Sequence, residues 1–293
     1  MYDQIAANKR KTIGLMFGFF VLVGALAWIL SVTRHDQSLL FSVGIFAIAY
    51  SVWGYYGSSK LALTINGAVE IQKKDAPELW NTVENLAITE GLPMPKVYIM
   101  NDPALNAFAT GRDPQHASVA ITSGLLEKLD KQEIQGVMAH ELGHIKNYDS
   151  RVSMIAFALV GVVSLVSDIF LRISFWGGGD DDNNNGNGVL FALSIVALIL
   201  APIVATLMQL AISRKREYLA DATSALTTRY PEGLASALEK IRDNGSVMQK
   251  QNSSTSHFFI ANPLKGGMMS GLLSTHPPIE ERIAILRRMD GVQ

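Results

Sequence analysis

The sequence predicts a mainly α-helical integral membrane protein, with about four hydrophobic helices and a water-facing α+β domain built around a small β-sheet. Three observations predict this class. Of 293 residues, 48% are apolar, and the mean hydropathy is positive at +0.20. The apolar residues gather into four long runs. The polar stretches outside those runs show the periods of short strands and amphipathic helices.

The first run, 12–33, and the second, 37–59, contain no Asp, Glu, Lys or Arg. At about 1.5 Å per residue, each can cross a hydrocarbon core of roughly 30 Å. The first is too long for a cleavable signal peptide, lacks a small-residue cleavage site, and is followed by a second run after a short turn. The third run, 152–176, is interrupted by Asp168 and Arg172, which lie four apart and can pair on one helix face. The fourth, 189–212, contains Pro202, a kink that membrane helices tolerate. Runs three and four either span the bilayer or form a hairpin partly covered by the polar domain.

Lysine and arginine set the orientation. Lys9, Arg10 and Lys11 precede run one, Lys60, Lys73 and Lys74 follow run two, and Arg214, Lys215 and Arg216 follow run four. The loop 177–188, GGGDDDNNNGNG, has no positive charge. By the positive-inside rule the chain is expected to be multi-pass, with both termini and everything between runs two and three in the cytoplasm. The expected organisation is a hairpin at 1–59, a polar block at 60–151, a second hairpin at 152–212 and a polar block at 213–293. The two polar blocks face the same side and are expected to fold together. A net charge of −1 gives no electrostatic footprint for nucleic acid, and the apolar runs make the lipid bilayer an expected partner. The chain has no cysteine, so disulfides and thiolate metal sites are excluded.

In the first polar block, 76–90 has helical apolar spacing, 96–100 and 117–122 read as strands, and 106–109 as a short strand or strand end. Asp130 then looks like an N-cap, with Glu133 completing a capping box. The helix it opens runs through Ile134, Val137 and Met138 into His140-Glu141-Leu142-Gly143-His144, and frays near Asn147. Lys131, Lys146 and Asp149 flank it and place it in water.

Two histidines four apart stack on one helix face, close enough to grip one metal ion. Glu141 can reach a water on that metal as a general base. The plain structural alternative is a helix with two partly buried histidines. Zinc held by two histidines needs a third ligand and an open position. The extended motif with a third histidine is absent, because positions 147 and 150 are Asn and Ser. Glu217 and Asp221, four apart beyond run four, offer carboxylates. One can reach the metal while the other accepts a hydrogen bond from a ligating imidazole.

AHELGH, then EYLAD after two hydrophobic runs, with NAFATG upstream and STHPP near the end, resembles the HtpX-type membrane zinc metalloproteases. These are bacterial relatives of the CAAX-processing Ste24 proteases, and the resemblance covers essentially the whole chain. The opening MYDQIAANKRKT is similar to Gram-positive members and implies a Gram-positive plasma membrane. The resemblance implies a zincin-like domain and an endopeptidase with one Zn2+ per chain, held by His140, His144 and Glu217. It makes Glu141 the general base and Asp221 the residue that orients a ligand histidine. It sets His276 near the oxyanion and Arg282 in a matching segment, with an oxyanion or structural role. It also implies that Asn106, Ala107, Phe108 and Ala109 form an exposed edge strand that pairs with extended substrate. The implied substrates are damaged or misassembled membrane proteins and unfolded polypeptides, cut on the cytoplasmic side in quality control.

Read from the residues alone, His276 before Pro277 and Glu280-Glu281 is a cap or loop residue. His257 reads as a structural or lid residue, and Asn147 and Asp149 as caps of the metal helix. The Met-rich stretch 266–273 is core filling or a cleft border. A membrane adaptor or channel with a structural metal is the non-enzymatic alternative, and it gives Glu141 no task. An intramembrane protease would bury the metal helix in lipid, against its charged flanks.

Overall fold

Long apolar helices open the chain because nothing in 12–33 or 37–59 interrupts them. The structure, a computed structural model, describes residues 2–34, 37–161, 214–244, 247–250, 255–261 and 277–290. Helix α1 (Tyr2–Arg34) packs against α2 (Ser38–Ile65). Within α2, Leu40–Ile65 is long and apolar enough to cross a membrane, and only 17% of its most apolar stretch is buried by the rest of the protein. Phe41 and Ile45 are each 69% exposed, side chains that hydrocarbon would cover. A third helix, α6 (149–161), opens the third run. Its Val152, Ile155 and Leu159 pack on Leu15, Phe19 and Val23 of α1. The rest of run three, run four, the loop 177–188, the stretch 266–273 and His276 lie outside the described residues, so the count of four spans does too.

The water-facing part holds a four-stranded mixed sheet, β1 (Ala68–Glu70), β2 (Lys96–Met100), β3 (Ala107–Gly111) and β4 (Ala117–Thr122). The order is β1-β2-β4-β3, with β2 and β4 parallel and the other pairs antiparallel. The two strands read from sequence at 96–100 and 117–122 form with those bounds. Helix α3 (Pro77–Glu90) starts with proline in its first turn, where no N–H is needed. The short α4 (Ser123–Lys128) follows β4, capped by the Thr122 hydroxyl.

Helix α5 (Lys131–Lys146) is the centre of the domain. Its capping box forms as the sequence predicts: Asp130 Oδ1 accepts the Gln132 and Glu133 N–H groups, and Glu133 Oε2 accepts the Asp130 N–H at 2.8 Å. Glu133 is buried because it also accepts from Ser236 and Lys240, fixing α5 to the later helix α8 (Pro231–Asp243). Two further helices, α7 (Arg214–Thr228) and α9 (Ile279–Asp290), complete the domain.

On one side, α5 packs on the sheet, with Val137, Met138 and Leu142 joining Val119 and Ile121 in a core shared with Leu234 and Leu238 of α8. Two glycines seven residues apart let α5 approach its neighbouring helices closely, Gly136 facing α8 and Gly143 facing α7. A Cβ at Gly136 would lie 2.7 Å from Leu234 N, and one at Gly143 would lie 3.3 Å from Thr223 Cβ. Real side chains do not fit the first spacing, so glycine lets the helices close. That approach delivers the first turn of α7 to the histidine face of α5.

Candidate metal centre

His140 and His144 stand one turn apart on α5, with ring centroids 4.7 Å apart and planes at 87°. Their Nε2 atoms converge to 3.1 Å. Glu217, in the first turn of α7, places Oε2 3.8 Å from His140 Nε2 and Oε1 3.6 Å from His144 Nε2. One ligand atom from each residue lies within 4.8 Å of the others. Tetrahedral ligands about 2.0–2.1 Å from a zinc ion lie roughly 3.3–3.4 Å from one another; the two Nε2 atoms are slightly inside that spacing and the Glu217 oxygens slightly outside it.

Each imidazole is backed by its own carboxylate. His140 Nδ1 is 3.0 Å from Asp221 Oδ1, at an oblique approach short of an aligned hydrogen bond. His144 Nδ1 is 3.1 Å from Asp149 Oδ2. A carboxylate behind Nδ1 keeps the proton there and leaves the Nε2 lone pair for a metal. Two Nε2 atoms 3.1 Å apart, with the Glu217 carboxylate facing both, make a donor set suited to one cation once His144 has given up its proton. That is the observation by which the residues fit a metal.

Asp221 is itself gripped from behind. Arg282, on α9, donates from Nε to Oδ2 at 2.9 Å and from Nη2 to Oδ1 at 2.7 Å. Burial opposes ionisation of Asp221, but Arg282 and His140 outweigh it and hold the carboxyl down at about 2. Arg282 therefore orients Asp221, and its Nη1 stands 3.9 Å from Glu217 Oε2.

Burial, with Asp221 opposing, pushes His140 down to about 4, so it is neutral and ready to ligate. Burial also works against a charge on His144, but Asp149, Glu217 and Glu141 overcome it and lift the ring to about 9. Burial raises the Glu141 carboxyl to about 7, assisted by Glu217 and opposed by His144. The backbone N–H of Ala109 on β3 also reaches Glu141. Glu141 Oε2 has no hydrogen-bond partner among the described residues, although it is buried beside the histidines. An unpartnered carboxylate oxygen with a pKa near neutrality is poised to trade a proton with a water.

An open cleft lies over these groups, lined by Ala109, His140, Glu141, His144, His257 and Phe258, among others. His257, read from sequence as structural or a lid residue, lies in its wall, with Nε2 3.4 Å from the Ser153 carbonyl.

The sequence model of peptidase family M48 matches residues 73–290. The chain belongs to peptidase family M48. It is 52% identical over 290 residues to a protease HtpX homolog of Tropheryma whipplei, covering 99% of this chain and 98% of that protein. It is 44% identical over 306 residues to one from Listeria monocytogenes serotype 4a, covering 99% of this chain and 100% of that protein. Among solved structures, S. mikatae Ste24p aligns with a TM-score of 0.54 at 18% identity, over 98% of this chain and 67% of that one. That likeness concerns the fold.

The M48 chain thus brings His140, Glu141, His144, Glu217, Asp221 and Arg282 into one cluster. The strand carrying Asn106, Ala107, Phe108 and Ala109 behaves differently. β3 is an edge strand, but its edge is covered and all four residues are buried. Phe108 pairs with Phe259, and the Ile260 N–H donates to the Ala107 carbonyl at 3.0 Å. The Asn106 amide exchanges two bonds with the backbone of Ala261. The chain's own segment 258–261 holds the place of a partner strand.

Asp149 is the residue that sequence reasoning missed. It reads as a helix cap, yet its side chain supports His144. Tyr148, between α5 and α6, adopts a left-handed backbone with φ of 61°, a conformation costing a non-glycine residue roughly 1–3 kcal/mol. That sharp reversal folds Asp149 back under the histidine. A carboxylate five positions after a ligating histidine, just past a helix end, was the available signal.

Proposed function

We propose that the protein is a zinc-dependent endopeptidase of the bacterial plasma membrane that cuts polypeptides at the cytoplasmic face. The observation that carries this reading is the convergence of His140, His144 and Glu217 on one point, with Glu141 beside it and its Oε2 without a hydrogen-bond partner among the described residues. Protease HtpX homologs at 44–52% identity support it. One zinc per chain, when bound, would lower the pKa of its water toward about 7 and polarise the scissile carbonyl.

The chain's own residues then divide the work. His140, His144 and Glu217 hold the ion. Asp221, backed by Arg282, and Asp149 fix the two imidazole rings. Glu141 accepts the proton of the attacking water and returns it to the leaving amine. His276, outside the described residues, is proposed to donate to the oxyanion. The substrate strand binds along β3 after displacing segment 258–261, since Ala109 joins that strand to Glu141. The proposed substrates are damaged or misassembled membrane proteins, and the bare surfaces of α1 and α2 support that choice by holding the site beside the bilayer.

The test is Glu141→Gln in purified, zinc-loaded protein with casein as substrate. The variant should keep its zinc and lose roughly 10²–10⁴-fold in turnover. Zinc retention with parental cleavage would refute the mechanism.

A further inference from the structure

We infer that Asn8, on the membrane helix α1, is a positioning residue for the metal centre, acting through Asp149 on His144. The inference rests on the metal reading above and extends it to a part of the chain that no ligand motif touches. Asn8 is fully buried. Its side-chain Nδ2 donates to Asp149 Oδ1 and to the Asn147 carbonyl, each at 2.8 Å. The other oxygen of Asp149 faces His144 Nδ1 at 3.1 Å. The carboxylate is thus held at both ends, by the metal-facing histidine and by α1.

Packing alone does not call for an asparagine here. Burying an amide costs free energy unless its groups are bonded, and α1 already has an apolar seat on α6 through Leu15, Phe19 and Val23. An apolar residue at position 8 would extend that seat. What the amide adds is direction. Without it, the described partner left for Asp149 Oδ1 is the Arg216 guanidinium, 3.6 Å away. Rotation toward Arg216 takes Oδ2 away from His144. The second bond, to the Asn147 carbonyl, anchors the C-cap of α5 and keeps the left-handed turn at Tyr148 in register. The first membrane helix therefore belongs to the support of the zinc site, and does more than anchor the domain.

The experiment uses full-length protein in lipid nanodiscs and reads metal binding rather than cleavage. Zinc affinity is measured by competition with a chelating dye, and ligand geometry by the visible absorption of the Co2+-substituted protein. Asn8→Ala should bind zinc about 10–100-fold more weakly, the usual effect of losing a group that orients a ligand, and should shift the cobalt bands. Asp149→Asn should do the same, and the double variant should be no weaker than Asp149→Asn alone, because the two act in series. Leu15→Ala loosens the apolar seat and should leave both readings unchanged. Should Asn8→Ala fail to fold, Asn8→Ser carries the same comparison with a single donor.

Parental zinc affinity and an unshifted cobalt spectrum in the Asn8 variant would overturn the inference. So would an equal loss in Leu15→Ala, which would mark Asn8 as packing, or fully additive losses in the double variant. A parent that takes up no zinc would overturn the metal reading as well, whereas the other outcomes leave that reading standing.

Discussion

Arg282 and Asp221 meet as a bidentate pair, 2.9 and 2.7 Å long, with neither residue more than 1% exposed. The pair lies directly behind His140, so the position of that ring depends on a guanidinium from the last described helix.

Removing Arg282 leaves the Asp221 carboxylate buried without its guanidinium, whereas removing the Asp221 charge leaves Arg282 with Glu217 at 3.9 Å. Arg282→Met should lower stability by about 3–5 kcal/mol, as breaking a buried pair does, and loosen zinc as well. Asp221→Asn should weaken zinc retention by roughly 10–100-fold. Thermal unfolding and metal content after dialysis check both.

Glu217→Ala takes away a ligand rather than a support. It should lose bound zinc and activity together, whereas Glu141→Gln loses activity alone. Metal analysis beside casein cleavage separates the two, and full zinc occupancy in Glu217→Ala would strike that residue from the ligand set.

His144 makes metal uptake depend on pH. Its ring is raised to about 9, so below that value the metal-free site carries a proton that an incoming ion must displace. Apparent zinc affinity should therefore climb about tenfold per pH unit from 7 toward 9, then level off. Calorimetry at pH 7 in two buffers of different ionisation enthalpy should report about one proton released per ion. An affinity flat from pH 7 to 9 would show that His144 is already neutral.

Ile260→Pro removes the N–H that bonds to the Ala107 carbonyl and frees one link of the covering segment. Cleavage of an unfolded polypeptide should speed up, mostly through a lower KM. A raised KM would mean that the segment helps hold substrate.

Gly136→Ala should destabilise the fold by about 1–3 kcal/mol, the usual cost of overpacking, because the added carbon would meet backbone 2.7 Å away. Gly143→Ala meets the Thr223 side chain at 3.3 Å and should cost less. Paired melting curves decide the order.

Local rules account for what the sequence made legible. The capping box at Asp130 and Glu133, the strands at 96–100 and 117–122, and the histidine pair all depend on residues a few positions apart. Glu217 and Asp221 were legible as a pair of carboxylates at helical spacing, and the resemblance assigned which one ligates. Long-range contacts were not legible. Nothing local shows that Arg282 will clasp Asp221, that residues 258–261 will pair with β3, or that Asn8 will reach Asp149. The edge strand was recognised as an edge, but period-two patterning says nothing about who occupies it. Asp149 hid behind a plausible role as a cap, because the reversal at Tyr148 is not a glycine or proline turn.

The order of parts along the chain also sets a clock. His140 and His144 leave the ribosome early on α5, Glu217 follows only after runs three and four, and Arg282 comes near the very end. A nascent chain halted anywhere before α7 has no third ligand, and one halted before α9 leaves Asp221 unclasped. On the proposed reading the site is therefore complete only once α9 has been made, after every hydrophobic run.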